Sequence, residues 1–250
     1  MNATQGALRA GKVSRVRDEP DQNLTVVQGR RRRRDRVELL RERVGRAVER
    51  RVSVVATRRS DGRIAQDRML EEAVAAIAEH GLAKLTMSGL AERLGTSGGH
   101  ILYYFGSKDQ LLLAALRWSE DRLAEERARL LARRVAADRK LDLFLGLYLP
   151  VGPRDPRWML WLELWARTAG NAELRVAQDE IDLGWQADLV TILIRGADKD
   201  VLLIDDPDAV ASELLALLEG LSTRTVLGLG GTTRESALAM ARRATGRLIR

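Results

Sequence analysis

Between Thr86 and Lys108, in TMSGLAERLGTSGGHILYYFGSK, two hydroxyl residues suited to starting helices stand either side of a glycine. Thr86 is a good N-cap, and Leu90, Ala91 and Leu94 then give two turns of apolar face before Gly95. Thr96 and Ser97 supply the next cap. Ile101 and Phe105 turn inward at i and i+4, while Gly98, His100, Tyr103 and Tyr104 project elsewhere. Only two short helices joined by a tight turn fit this pattern. Gly98 and Gly99 each cost the second helix about 1 kcal/mol relative to alanine. Packing must therefore hold it, and close approach to another backbone is the expected return.

Helical grammar surrounds this pair. Leu70, Ala73, Val74, Ile77 and Ala78 form one buried stripe, with His80 in the last turn and Gly81 as the stop. Ser107–Gln110 has the form of a capping box opening a long helix through Leu111, Ala115 and Leu123. A short helix is expected around Leu141–Leu149. Pro150–Pro156 is then a loop, and Asp155-Pro156 and Asp206-Pro207 each read as a cap followed by proline in the first turn. A helix from about Asn171 to Ile194 and a last one capped by a Thr232–Glu235 box complete an all-α chain of about nine helices. Val201–Ile204 is the only β-like run after residue 60, and a single strand has no partner.

Charge divides the chain. Residues 1–62 hold 17 Arg and Lys against 8 Asp and Glu, a net +9, while residues 63–250 hold 25 against 27, a net −2. The leader, with five consecutive arginines at 30–34, has two open readings. One is a basic arm adding sequence-independent affinity for DNA; the other is a solvated, disordered extension, natively translated or not. Residues 37–55 carry a narrow valine-rich stripe fit at most for a marginal helix. With no cysteine and only His80 and His100, a thiolate metal site is excluded and a zinc site disfavoured, and no cofactor is expected. No apolar run spans a membrane or forms a signal peptide, so a cytoplasmic home is expected.

Trp158, Trp161 and Trp165 share one helical face. Either they fill a core, or they line a cavity for a small apolar or cationic molecule, which Met159, Leu162 and Glu163 could join.

Thr86, Leu90, Ala91, Gly95, Ser97, Gly99, Ile101, Tyr103, Phe105, Ser107 and Lys108, at their fixed spacings, resemble the DNA-binding domain of TetR-family transcriptional regulators. The resemblance covers residues 63–123. Trp161, Trp165, Asp206, Pro207, Ala209, Leu214, Leu217, Gly220 and Leu221 look like the family's C-terminal half, more loosely. The domains this implies are a leader at 1–62, a helix-turn-helix domain at 63–123 and a helical ligand-binding and dimerisation domain at 124–250. The implied partners are double-stranded DNA bearing a palindromic operator, a small-molecule effector and a second copy of the chain, with no membrane.

The resemblance assigns DNA contacts to Thr86, Ser88, Ser97, Gly98, Gly99, His100, Tyr103, Tyr104 and Lys108. It assigns ligand contacts to Trp118, Phe144, Trp158, Trp161, Leu162, Trp165 and Trp185, and dimer contacts to Leu214, Leu217, Leu218, Leu221, Leu238 and Ala241. Three positions depart from the family pattern. Gly98 replaces a common polar or basic side chain, His100 stands where Thr or Ser is frequent, and Leu102 where Tyr is frequent. A repressor released by its ligand is the leading expectation. An architectural DNA-coating protein using the arginine run is the alternative, and an enzyme working through Glu163 finds little support without catalytic motifs.

Overall fold

The computed structural model describes residues 60–249; the expectations for the arginine run and the valine stripe lie outside the described residues. Among the described residues nine α-helices follow one another: α1 Ser60–His80, α2 Met87–Leu94, α3 Gly98–Phe105, α4 Lys108–Ala132, α5 Ala137–Tyr148, α6 Pro156–Thr168, α7 Ala172–Ala197, α8 Pro207–Val226 and α9 Arg234–Leu248, with a 3-10 turn at Leu229–Gly231. Among the described residues there is no strand. The Val201–Ile204 run is loop, anchored by buried Leu202 and Ile204.

Local chemistry sets the helix starts. Thr86 Oγ1 accepts from the Gly89 N–H, Ser97 Oγ from His100 N–H and Ser107 Oγ from Gln110 N–H. Asp155, Asn171 and Asp206 cap α6, α7 and α8 in the same way. Two expected boxes differ. The Ser107 box is half made, because the Gln110 amide turns away to Glu173, 2.8 Å from both carboxylate oxygens. The last box forms one residue later than expected, between Thr233 and Ser236, because Thr232 is drawn into the packed interior and cannot stand at the helix mouth.

α1, α2, α3 and the first turns of α4 pack as a small unit around Ile77, Leu90, Ile101, Leu111 and Leu112, all fully buried. The remaining helices form the body. α4 runs unbroken for 25 residues from one to the other, so the boundary drawn at residue 123 falls inside a single helix. At 1.5 Å per residue that is a rod of about 37 Å. α6 lies against α1 on one side and α4 on another, and α8 packs on α7 and α9. One continuous apolar cluster joins the two regions.

Candidate functional site

The reading head is α2 and α3 with their turn. Gly95 ends α2 at φ 67°, a left-handed conformation that favours glycine, and the chain turns directly into the Ser97 cap. Gly98 faces inward. A Cβ there would lie 3.1 Å from Ser88 Oγ and 3.4 Å from Ser88 Cα, so the missing side chain lets α3 seat on α2. The close backbone approach expected of the glycine pair is thus made to α2. Tyr103 stands out from α3 at 80% exposure, with Leu102 also exposed. His100 is exposed and sets its ring edge-on to half-buried Tyr104, one turn on, at 5.0 Å. Ser88 and Gly99 are exposed on the same unit.

Several expected phosphate groups also serve the fold. The Thr86 and Ser97 oxygens accept cap hydrogen bonds, which leaves their O–H hydrogens to donate outward. Lys108 Nζ donates to the Ala83 carbonyl at 3.3 Å, tying the start of α4 to the loop after α1. Arg93 belongs to the scaffold. It pairs with Glu72 and with Glu79 of α1, and its guanidinium holds the Glu79 carboxyl below its ordinary range.

α6 grips this head from behind. Glu163 Oε1 accepts the Leu82 N–H at 2.9 Å, just past the left-handed Gly81. Arg154, in the loop before α6, donates to the Ala78 and Glu79 carbonyls at the end of α1, both at 2.8 Å. Its own N–H donates to the Val226 carbonyl at the end of α8. Arg154 adopts φ 58°, a strained conformation for a non-glycine residue that costs roughly 1–3 kcal/mol. Arg167 lies 3.5 Å from Asp109 in the first turn of α4.

The opposite face of α6 forms a chamber. Trp158, Trp161 and Trp165 meet Trp185 of α7, Tyr148 of α5, Glu120 of α4, Glu219 of α8, and Asp182 and Arg157. The atom-free space among these groups, counted together with the open solvent it meets, is about 290 Å³. Only about 10 Å³ of it admits the centre of a water molecule, room for roughly one. The aromatic rings meet at edges and tilts, with Tyr148 4.8 Å from Trp185 and Trp161 5.9 Å from Trp165.

Charge in the chamber is uneven. Glu120 is 5% exposed and accepts both the Trp161 and Trp185 indole N–H groups, at 2.9 and 3.0 Å, with Arg127 3.9 Å away. Arg127 also pairs with Asp188 at 2.8 Å and lies over the Trp185 ring. Arg157 donates to the Leu147 and Tyr148 carbonyls, and its burial lowers its pKa. Asp182 and Glu219 differ: among the described residues neither is ion-paired with a cation. Burial, then the neighbouring Glu219, pushes Asp182 up to about 7, and burial raises Glu219.

Not every residue expected to line a ligand site lines this chamber. Trp118 donates its N–H to Asp67 of α1 at 3.2 Å, under the Arg122 guanidinium and away from the chamber. Phe144 is fully buried, edge-on behind Trp185. Leu162, next to Trp161 on the helix, faces a different side and packs on the core. Conversely, Glu120, Tyr148, Arg157, Asp182 and Glu219 were not expected in the lining. Asp182 stands three residues before Trp185, a spacing that places both on one helix face and was the available signal.

The dimer expectations divide similarly. Leu214, Leu218, Leu221 and Ala241 are buried within this chain, because α8 must cover α7 and α9, so they have no surface left for a partner. Leu217 and Leu238 remain half-buried, and Ala216 and Gly220 are exposed beside them on α8. Among the described residues no helix is long and apolar enough to cross a membrane, and no cluster of three metal-ligating side chains forms.

A capped helix-turn-helix carried by a long connecting helix on an all-α body with a lined chamber defines a DNA-binding transcriptional regulator. The family description of bacterial regulatory proteins, tetR family, matches residues 69–115, and that of the BetI-type transcriptional repressor, C-terminal, matches residues 137–250. The chain belongs to the TetR family, whose members are regulators and not enzymes. The HTH-type transcriptional regulator BetI of Burkholderia cenocepacia is 26% identical over 184 residues, 71% of this chain and 90% of that protein. A transcriptional regulator from Saccharomonospora viridis, solved in complex with choline, superposes with a TM-score of 0.70 at 26% identity, over 76% of this chain and 98% of the other. A TetR-family regulator from Rhodococcus sp. gives 0.63 at 25% identity, over 74% and 98%.

Proposed function

We propose that this protein is a repressor that holds a palindromic operator as a homodimer and is released when its chamber takes a small organic cation of the quaternary-ammonium class. The observation that carries the ligand class is the pairing of four indoles with two carboxylates, Asp182 and Glu219, that have no cationic partner among the described residues. Indole faces attract a cation through their quadrupoles, and a carboxylate in a water-poor chamber supplies the counter-charge. The choline bound by the Saccharomonospora viridis relative supports the same class.

In this reading α3 enters the major groove. Tyr103, Lys108 and the outward hydroxyls of Thr86 and Ser97 hold phosphates, while His100 meets base edges beside Tyr104, Ser88 and Gly99. Two copies pair through the outer sides of α8 and α9, around Leu217 and Leu238. Their recognition helices then stand about one helical turn apart, near 34–36 Å. Domains divide function at the reading head and the body, with α4 shared between them.

α6 links ligand to DNA. One face lines the chamber, and Glu163 on the other, with Arg154 in the loop just before the helix, holds the end of α1, so a ligand that displaces the indoles moves the head. A hundredfold change in operator occupancy needs a preference of only about 2.7 kcal/mol for the released conformation. Footprinting of the intergenic DNA beside the gene tests the proposal. One short palindrome protected at nanomolar protein and freed by choline is expected. Uniform protection that vanishes with modest salt points instead to DNA coating, and a palindrome that choline leaves protected contradicts the ligand class.

A further inference from the structure

We propose that the indole N–H of Trp158 reads a hydrogen-bond acceptor on the ligand, so that the chamber selects a hydroxyl-bearing ammonium over an alkyl ammonium of the same shape. This rests on the ammonium reading of the chamber and adds a second determinant to it. Trp161 and Trp185 both spend their N–H groups on Glu120, and Trp118 spends its own on Asp67. Trp158 lines the same chamber, yet its Nε1 is buried and has no acceptor in the protein.

A buried donor left unpaired carries its whole desolvation penalty, which gives a matching acceptor its value. Trp158 has little freedom to find one by turning. It is 3% exposed, with Tyr148 edge-on at 5.7 Å, Trp165 at 6.1 Å and the Arg157 guanidinium 5.4 Å over its ring. The acceptor must come to the indole. One water fits the free chamber, and an oxygen of the ligand replaces it.

The surroundings define the kind of oxygen. Glu120, Asp182 and Glu219 line the same space, so a carboxylate on the ligand would meet three acidic side chains. Arg157 offers little relief, because its two terminal nitrogens already donate to the Leu147 and Tyr148 carbonyls. A neutral hydroxyl close to the ammonium satisfies Trp158 and leaves the positive end to the indoles and carboxylates. Sites that hydrogen-bond a substrate group reject analogues lacking it, since the protein's own group is then stranded.

Calorimetric titration of the full chain with choline, with n-propyltrimethylammonium, in which a methyl replaces the hydroxyl, and with glycine betaine tests this directly. Choline is expected to bind at least about tenfold tighter than the propyl compound, and betaine more weakly than choline. Trp158→Phe keeps an aromatic wall and removes the N–H; the weaker ring should loosen both cations, and the loss of the N–H should bring the choline-to-propyl ratio close to one. Equal affinities in the wild-type protein, a comparison independent of how the variant folds, overturn the role of Trp158. So does a ratio that survives the substitution. If neither alkyl cation binds, the ammonium reading fails and this inference falls with it.

Discussion

The reading head and the chamber solve opposite problems with the same helices. The head keeps its chemistry on the outside: Tyr103 and His100 are exposed, its caps are local, and its Arg93 is neutralised by Glu72 and Glu79. The chamber takes carboxylates and indoles out of water and compensates only part of the cost. Glu120 is satisfied by two N–H donors, whereas Asp182, Glu219 and Trp158 Nε1 have a charge or a donor to spare. Reading a fixed partner such as DNA requires rigid placement of groups that remain hydrated. Responding to a small molecule requires groups whose environment is better with it than without it.

The largest expected effect lies where the chamber is satisfied. Glu120→Ala strands two indole N–H groups beside Arg127 and should destabilise the fold by about 3–5 kcal/mol, read as a fall in melting temperature of roughly 10 °C or more. Glu120→Gln keeps an acceptor and should lose less. A melting temperature within 2–3 °C of wild type, a shift worth only about 1 kcal/mol in a chain of this size, would show that the head and chamber do not differ in this way.

The link between the two regions gives the next effect. Glu163→Gln weakens the hold on the Leu82 N–H and the pairing with Arg167. Operator affinity and choline affinity should each stay within about threefold of wild type, while the factor by which choline weakens operator binding falls by about tenfold. Gel-shift titrations with and without choline measure all three quantities, and an unchanged coupling factor removes α6 from the route.

Acidity acts on the chamber through Asp182. The Asp182 carboxyl, at about 7 in the folded chain, faces Glu219 on α8, Glu120 on α4, Tyr148 on α5, Arg157 on α6 and Gln178 and Asp179 on its own helix. It is mostly neutral at pH 6 and mostly ionised at pH 8, so choline should bind roughly tenfold more tightly at the higher pH. The sign for stability is opposite. The folded chain holds this proton well above the ordinary aspartate value of 3.8, so the stability of the ligand-free protein declines as pH rises from about 4 to about 7. Saturating choline should flatten that decline, and a choline affinity independent of pH between 6 and 8 rules out an Asp182 counter-charge.

The smallest effects belong to the head. Tyr103→Phe should weaken binding by about threefold to tenfold on every operator variant, whereas His100→Ala should change the preferred base at one position. Competition footprinting separates the two outcomes, and loss of affinity without altered preference in both moves His100 from bases to phosphate.

These two regions also differed in how far the sequence disclosed them. Caps at Thr86, Ser97, Asp155 and Asp206 act within a few residues, so the helices and the head's turn were legible from spacing alone. The last cap slipped by one residue because two threonines compete locally and burial of Thr232 decides between them. The indole face of α6 was equally visible. Its acidic complement was not, because Glu120, Asp182 and Glu219 come from three helices far apart in the chain, and an acid on a helix ordinarily reads as a solvated face. Leucine spacing on α8 likewise could not tell an interior from a dimer seam, since one pattern serves both.

Reciprocity between the two sites is the central claim, and one measurement tests it most directly: operator affinity titrated against choline, paired with choline affinity titrated against operator. The account predicts that each ligand weakens the other by the same factor, of the order of tenfold to a hundredfold. Tight binding of both with neither affecting the other would leave a reading head and a chamber in one chain with no switch between them.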